Sequence, residues 1–173
     1  MVFLKREKLF WSSVVGFFIV CLVGTLCHGI YPFTGGNRII GMFVPVNESV
    51  WEHLKLLYFP FLLYTLGEYI FYGRKHPGFL FSRMLGVLSG MVLIPVVFFL
   101  YTSVFGRSFV PVDILLFFIA VLTAFVVSFY RIVRQKDGGF HRLLAAILLI
   151  FGITALFIGM TFFPPDTALF RSP

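Results

Sequence analysis

Five long apolar runs divide the chain, and polar residues are largely confined to the segments between them. A helix needs about 20 predominantly apolar residues to cross a bilayer, and each run reaches that length. We therefore predict an all-α, polytopic membrane protein in which residues 1–173 form a single five-span transmembrane domain. The predicted spans cover about 9–30, 48–72, 82–105, 111–134 and 141–163, with ends uncertain by a few residues.

The amino-acid composition places the chain in the same class. Hydrophobic residues make up 60% of the chain, charged residues make up 12%, and 25 of the 173 residues are Phe. Soluble domains contain about 45–50% apolar and about 25% charged residues. Lys5, Arg6 and Lys8 also suit the start of a signal peptide, but no small-residue cleavage pattern follows them. We therefore predict that the first run is an uncleaved anchor.

Basic residues are distributed unequally between the two predicted faces of the membrane. With the N-terminus in the cytoplasm, ten of the 14 Lys and Arg residues fall inside and four fall outside. The ten are Lys5, Arg6, Lys8, Arg74, Lys75, Arg83, Arg131, Arg134, Lys136 and Arg142, and the four are Arg38, Lys55, Arg107 and Arg171. This bias predicts a multi-pass membrane protein with its N-terminus inside, in the cytoplasm, and its C-terminus outside. Its net charge of +7 then indicates contact with anionic membrane lipids and no nucleic acid.

Small residues recur every four positions along four of the predicted spans. Such stripes let helix backbones approach closely, because lipid provides no hydrophobic drive for helix association. We therefore predict a tightly packed bundle without a pore. The stripes comprise Ser12, Gly16 and Gly24; Ser82, Gly86 and Gly90; Ala120, Ala124 and Ser128; and Ala155 and Gly159.

One segment breaks the apolar pattern at the start of the second span. Residues 45–55 read Pro-Val-Asn-Glu-Ser-Val-Trp-Glu-His-Leu-Lys. Ionisable groups at the edge of a bilayer are costly to desolvate, so such a cluster needs a structural or a functional reason. His28 reaches the same outer level at the end of the first span. The predicted ligand or metal site comprises His28, Asn47, Glu48, Glu52 and His53, with Trp51, Lys55 and Asp166 in supporting positions.

Helical spacing divides these residues between two faces. At about 100° per residue, Glu48, Glu52 and Lys55 fall on one stripe, and His53 points about 100 to 140° away from it. Glu68 lies about 30 Å further along the axis, so it is predicted at the cytoplasmic boundary near Arg74.

Helix capping offers an alternative explanation for most of the cluster. Asn47 suits an N-cap, and Ser49 with Glu52 fits a capping box. Glu52 and Lys55 have the spacing of a helical ion pair, and Trp51 suits the aromatic belt at a membrane interface. Capping leaves only His28 and His53 unexplained.

Two classes of function are open at this point. In the first, imidazole and carboxylate groups bind a divalent metal such as zinc or manganese, which activates water for hydrolysis of a lipid-linked or envelope substrate. In the second, the protein is a non-enzymatic envelope interaction or lipid-binding subunit with a protein partner or a second copy of itself. Transport is disfavoured, because the cluster is not repeated and no charged path crosses the midplane.

The polar segment also resembles a known family. Residues 45–60, the Cys-His-Gly-Ile-Tyr segment at 27–31 and the Phe-Phe-Pro-Pro-Asp segment at 162–166 are similar to the DUF6512 family of small, functionally uncharacterised bacterial membrane proteins. The resemblance covers the whole chain. It implies a five-span architecture and supplies no activity, substrate or cofactor.

Overall fold

A computed structural model describes residues 2–135 and 139–172, with side chains from residue 6 onward. Its five long helices are α1 (Val2–Cys27), α4 (Val50–Phe71), α5 (Phe79–Phe105), α6 (Val110–Arg134) and α7 (Phe140–Phe162). Each is long and apolar enough to cross a membrane, beginning at Arg6 in the first of them. The described residues contain no strand. The predicted all-α, five-span architecture is thus confirmed.

The linker between the first two spans folds into two short helices, α2 (Ile30–Phe33) and α3 (Arg38–Gly41). Gly35 and Gly36 join them with φ angles of 66° and 76°, a left-handed conformation that glycine adopts readily. The Asn37 side chain then caps α3 by accepting hydrogen bonds from Ile39 N and Ile40 N. The linker therefore returns to the bundle in a defined conformation, which positions residues 44–49 beside the end of α1.

Helix α4 is the centre of the bundle. In its most apolar 18-residue stretch 61% of the residues are buried, compared with 11% in the corresponding stretch of α7 at the periphery. It packs against α1 and α5, and α5 packs extensively along α6. The polar segment thus leads into the most enclosed helix of the chain.

Two of the predicted small-residue stripes meet between α5 and α6. A Cβ atom on Gly86 would lie 2.3 Å from the Ala124 carbonyl oxygen, and one on Gly90 would lie 2.5 Å from the Ala120 oxygen. Only glycine permits so close an approach. The stripe on α7 behaves differently, because Ala155 and Gly159 are exposed and a Cβ on Gly159 would meet nothing within 4 Å. The prediction that this stripe packs inside the chain was wrong.

The start of α4 also differs from the prediction. The helix begins at Val50, and its N-cap is Ser49, whose hydroxyl accepts a hydrogen bond from Glu52 N. Asn47 does not cap the helix; its side chain accepts from Ser49 N at 2.9 Å and holds the preceding turn. Glu48 therefore precedes the helix, and its direction does not follow helical spacing.

The side of the membrane on which each end lies remains a prediction. Reporter fusions are expected to place Lys136 in the cytoplasm and Pro173 outside, because of the ten-to-four basic asymmetry and the odd number of spans. Both positions lie outside the described residues. Activity of an alkaline phosphatase fusion at Pro173 and of a fluorescent-protein fusion at Lys136 would agree with this orientation. A cytoplasmic C-terminus would refute it.

Candidate functional site

Three of the predicted site residues come together at one end of the bundle. The Nε2 atoms of His28 and His53 lie 3.0 Å apart. Glu48 Oε2 lies 3.5 Å from the His28 Nε2 atom and 3.4 Å from the His53 Nε2 atom. We call His28, Glu48 and His53 the triad.

Different elements supply the three side chains. His28 follows the end of α1, Glu48 lies in the turn before α4, and His53 lies on the first turn of α4. His53 Nδ1 is 2.8 Å from the Ser49 carbonyl oxygen. Because a carbonyl only accepts, Nδ1 must carry the proton and donate it. This bond orients the ring with Nε2 toward the triad, as the outer hydrogen bond of a metal-binding histidine does.

The triad has the dimensions of a metal site. Bonds of about 2.0–2.1 Å in tetrahedral geometry place zinc ligand atoms about 3.3 Å apart. The three interatomic distances in the triad are 3.0, 3.4 and 3.5 Å. One ion can therefore reach all three atoms. The side chains of Glu48, His28 and His53 are 66%, 45% and 30% exposed, which leaves a fourth coordination position accessible.

Glu52 and Lys55 belong to a separate, buried pair. Lys55 Nζ donates to Glu52 Oε2 at 2.7 Å, to the Gly41 carbonyl at 2.8 Å and to the Thr161 hydroxyl at 2.6 Å. Glu52 Oε2 also accepts a hydrogen bond from Val46 N at 3.0 Å. This pair connects α4 to the linker and to α7. The structure thus does not bring Glu52 to the imidazoles. Glu48 precedes the helix, so its carboxylate is directed toward His28 and His53, whereas the carboxylate of Glu52 is directed toward Lys55.

The remaining predicted site residues also lie apart from the triad. Asn47 forms the turn described above. Trp51 packs between Phe157 and Phe170, with ring centroids 4.9 and 5.0 Å away, so it faces the protein interior more than a membrane interface. Asp166 accepts from Arg171 at 2.7 Å in an exposed ion pair. None of the three belongs to the group of potential metal ligands among the described residues.

A cavity of about 690 Å³ adjoins the triad. It lies among α1, α4, α5 and α6, and most of its wall is apolar, including Leu56, Ile94, Phe98, Leu116 and Phe117. The triad contributes to the lining, as do Ser108 from the turn before α6 and Asp113 from its first turn. Tyr101 donates a hydrogen bond to the Asp113 carboxylate. The arrangement is that of a ligand pocket, which is mostly apolar with a few polar groups.

A second polar cluster, at the opposite end of the bundle, was not predicted. Arg83 was counted as a basic residue flanking a span, but its side chain is fully buried. Its Nη2 donates to Glu68 Oε1 at 2.7 Å, and its Nη1 donates to Ser128 at 2.8 Å. The guanidinium also lies over the rings of Phe79 and Phe125. Glu68 was predicted at this end of the second span, near Arg74, and its partner there is Arg83.

Hydroxyl groups complete this cluster. Ser12 and Tyr72 both donate to Glu68 Oε1. Burial, reinforced by the adjacent Glu68 carboxylate, raises the pKa of the Tyr72 phenol, so this group stays protonated as a donor. Glu68 Oε2 and Arg83 Nε remain buried without a partner among the described residues. A signal was present in the sequence, because Arg83 lies three and seven residues before Gly86 and Gly90 and therefore shares their inward face.

Comparison with known proteins gives a family and two similar relatives. The chain is 27% identical over 151 residues to a protein named heme A synthase of Ehrlichia ruminantium strain Gardel, an alignment that covers 80% of this chain and 43% of the relative. The heme A synthase of strain Welgevonden is 26% identical with the same coverage. The chain thus spans less than half the length of these curated relatives. No solved structure matches. The model of the DUF6512 family, a family of unknown function, matches residues 2–173, and the chain belongs to that family.

Proposed function

We propose that this protein binds one divalent metal ion, with zinc the best fit, through the triad of His28, Glu48 and His53. The observation that carries the proposal is the triangle of ligand atoms with edges of 3.0, 3.4 and 3.5 Å. Two imidazoles and one carboxylate with a fourth position accessible are typical of catalytic zinc sites, whereas structural sites are closed by four protein ligands.

This ligand set supports a hydrolytic reaction at the membrane surface. A zinc ion held by His28, Glu48 and His53 would supply Lewis-acid activation of water, which is the chemistry required for hydrolysis of an ester or phosphoester. The protein residues contribute orientation: Ser49 holds the His53 ring through its carbonyl, and the end of α1 holds His28. We place the site at the outer face of the membrane on the basis of the basic-residue asymmetry. We place the protein in a bacterial cytoplasmic membrane on the basis of its resemblance to a family of bacterial membrane proteins.

Elemental analysis of the purified protein tests the metal proposal. After zinc loading and removal of free metal, the wild type is expected to retain about one zinc per chain, as expected for a single three-ligand site. His28→Gln and His53→Gln should each lose it, because each removes one of three ligands. His141→Gln is the matched control, since His141 is exposed at the start of α7 and outside the triad. A wild type that retains no zinc, manganese or iron would refute the proposal.

Haem binding is a second candidate, supported by the similarity to proteins named heme A synthase. The cavity places His28 and His53 beside the aromatic rings of Phe98 and Phe117, a setting in which haem could bind. His28 or His53 would hold the haem iron, and the 3.0 Å contact between their Nε2 atoms would have to open to admit it. A haem titration distinguishes the candidates, because only haem ligation produces a Soret band that is lost in His28→Gln.

The non-enzymatic alternative has its own supporting observation. Ala155 and Gly159 form an exposed small-residue stripe on α7, which suits contact with another membrane helix. In this alternative the protein is an interaction or lipid-binding subunit, and the triad serves only to join α1 to α4. It predicts that charge-removing changes in the triad leave the protein's assembly and lipid contacts unaltered.

A further inference from the structure

We propose that the cavity beside the triad binds the hydrocarbon chain of a membrane phospholipid, with the phosphate group of that lipid at the triad. The position of the phosphate rests on the proposed metal site. The position of the chain rests on the cavity alone.

The first step concerns what can fill the cavity. Its volume of about 690 Å³ lies within the range of ligand pockets. The apolar part of its wall, which includes Leu56, Ile94, Phe98, Leu116 and Phe117, offers water few hydrogen-bond partners. An empty space of this size would forfeit the dispersion contacts of all its lining side chains. An apolar molecule in the cavity needs no hydrogen-bond partners and restores these dispersion contacts.

The second step concerns how that occupant enters. Val110 and Ile114, one turn apart on α6, line the cavity and are 69% and 51% exposed. Exposed apolar side chains in a membrane-spanning helix face lipid. The α6 side of the cavity therefore borders the bilayer, so a lipid chain reaches the interior without crossing the polar end.

The third step concerns the head group. Polar lining residues come from the end of α1, the start of α4 and the start of α6 with the residues just before it. They are Thr25, the triad, Ser108 and Asp113. A divalent ion bound by two neutral imidazoles and one carboxylate keeps one positive charge, which complements a phosphate oxygen in the open coordination position. Asp113 and Ser108 can then contact hydroxyl or amine groups of the same head group.

Photo-crosslinking in nanodiscs tests the position of the chain. The probe is phosphatidylglycerol with a diazirine in its acyl chain, diluted into phosphatidylethanolamine and phosphatidylglycerol. Any exposed residue can be labelled by surrounding lipid, so the informative positions are Leu56, Ile94 and Leu116, which line the cavity and are only 5%, 7% and 5% exposed. We expect label there. Val121 on α6 is fully buried away from the cavity and is the internal control, expected to carry none.

A variant that fills the cavity provides the second arm. Ile94→Trp is expected to reduce labelling of Leu56 and Leu116 about tenfold, the ratio that corresponds to about 1.4 kcal/mol of binding free energy. Val96→Trp is the matched control, because Val96 lies on the same helix, is 59% exposed and does not line the cavity. The melting temperature of each variant reports whether it is folded.

A fatty alcohol that carries the same diazirine tests the role of the phosphate. We expect the phospholipid to label the cavity residues about tenfold more than the alcohol at equal concentration, again about 1.4 kcal/mol. Label confined to exposed residues, or equal labelling by the two probes, would overturn the inference. Elemental analysis reports on the metal site separately. Cavity labelling in a protein that binds no metal would therefore refute the proposed function and the position of the phosphate, and would leave the position of the hydrocarbon chain standing.

Discussion

Replacing Arg83 with alanine is expected to destabilise the protein by about 3 to 5 kcal/mol, the usual cost of removing one partner of a buried ion pair. The change leaves the Glu68 carboxylate enclosed with no cationic partner, and it removes the hydrogen bond to Ser128 and the contacts with two aromatic rings. Thermal unfolding and denaturant titration of the wild type and the variant in detergent measure the loss of unfolding free energy.

Two further variants show whether the loss of stability comes from breaking the buried ion pair or from removing any arginine at this end of the bundle. Arg74→Ala is the control, because Arg74 is exposed and lies over Tyr69 at the same end of the bundle, so a change within about 0.5 kcal/mol is expected. The double variant Arg83→Met with Glu68→Leu should recover most of the lost stability, since apolar replacement of both partners leaves no buried charge. A loss below about 1 kcal/mol in Arg83→Ala would contradict the importance assigned to this cluster.

Glu48→Gln and Glu52→Gln are expected to have opposite effects. Glu48 is a candidate ligand on an exposed turn, so its replacement should weaken zinc binding by about 100-fold or more and change stability by less than about 0.5 kcal/mol. Glu52 is buried against Lys55, so its replacement should cost about 3 to 5 kcal/mol and leave the zinc affinity of the folded protein unchanged. Zinc titration and thermal unfolding of both variants give the comparison.

Either of two outcomes would contradict this assignment. Normal zinc binding in Glu48→Gln would remove the carboxylate from the site and leave two imidazoles, too few for the proposed geometry. An unchanged melting temperature in Glu52→Gln would mean that Lys55 is satisfied by the Gly41 carbonyl and Thr161 alone.

The architecture could be predicted from the sequence because it depends on composition summed over about 20 residues, which tolerates errors at individual positions. The end of each span is less well determined. The second span was predicted from residue 48, whereas Ser49 caps it and α4 begins at Val50. A shift of two residues has little effect on a count of spans and a large effect on the direction of Glu48.

The site was harder to predict for the same reason. His28 and His53 were placed at one level from helix rise alone, and the structure brings their Nε2 atoms within 3.0 Å. The division between Glu48 and Glu52 depended on a turn that helical geometry does not describe. Glu52 was grouped with the site because helical spacing put it on the stripe of Glu48 at the same membrane level, whereas its partner Thr161 lies 109 residues away along the chain.

Arg83 shows a different limitation. A rule that counts charges near span ends treats each arginine as solvated, and burial depends on partners contributed by other helices. Ser12 and Ser128 had been interpreted as small residues that allow close packing. Their hydroxyls instead help complete the hydrogen bonds of Glu68 and Arg83. Hydropathy patterns carry no information about such pairings across the bundle.

The position of the two ion pairs along the chain has a consequence for biosynthesis. Helix α4 has a mean hydropathy of 1.2, compared with 2.2 to 2.7 for the other spans. Lys55 and Glu52 are three residues apart on α4, so they can neutralise each other as soon as the nascent helix forms. Glu68 instead depends on Arg83, which is synthesised 15 residues later on α5. We therefore expect α4 to remain beside the translocation channel until α5 emerges, and the two helices to enter the lipid together as a hairpin.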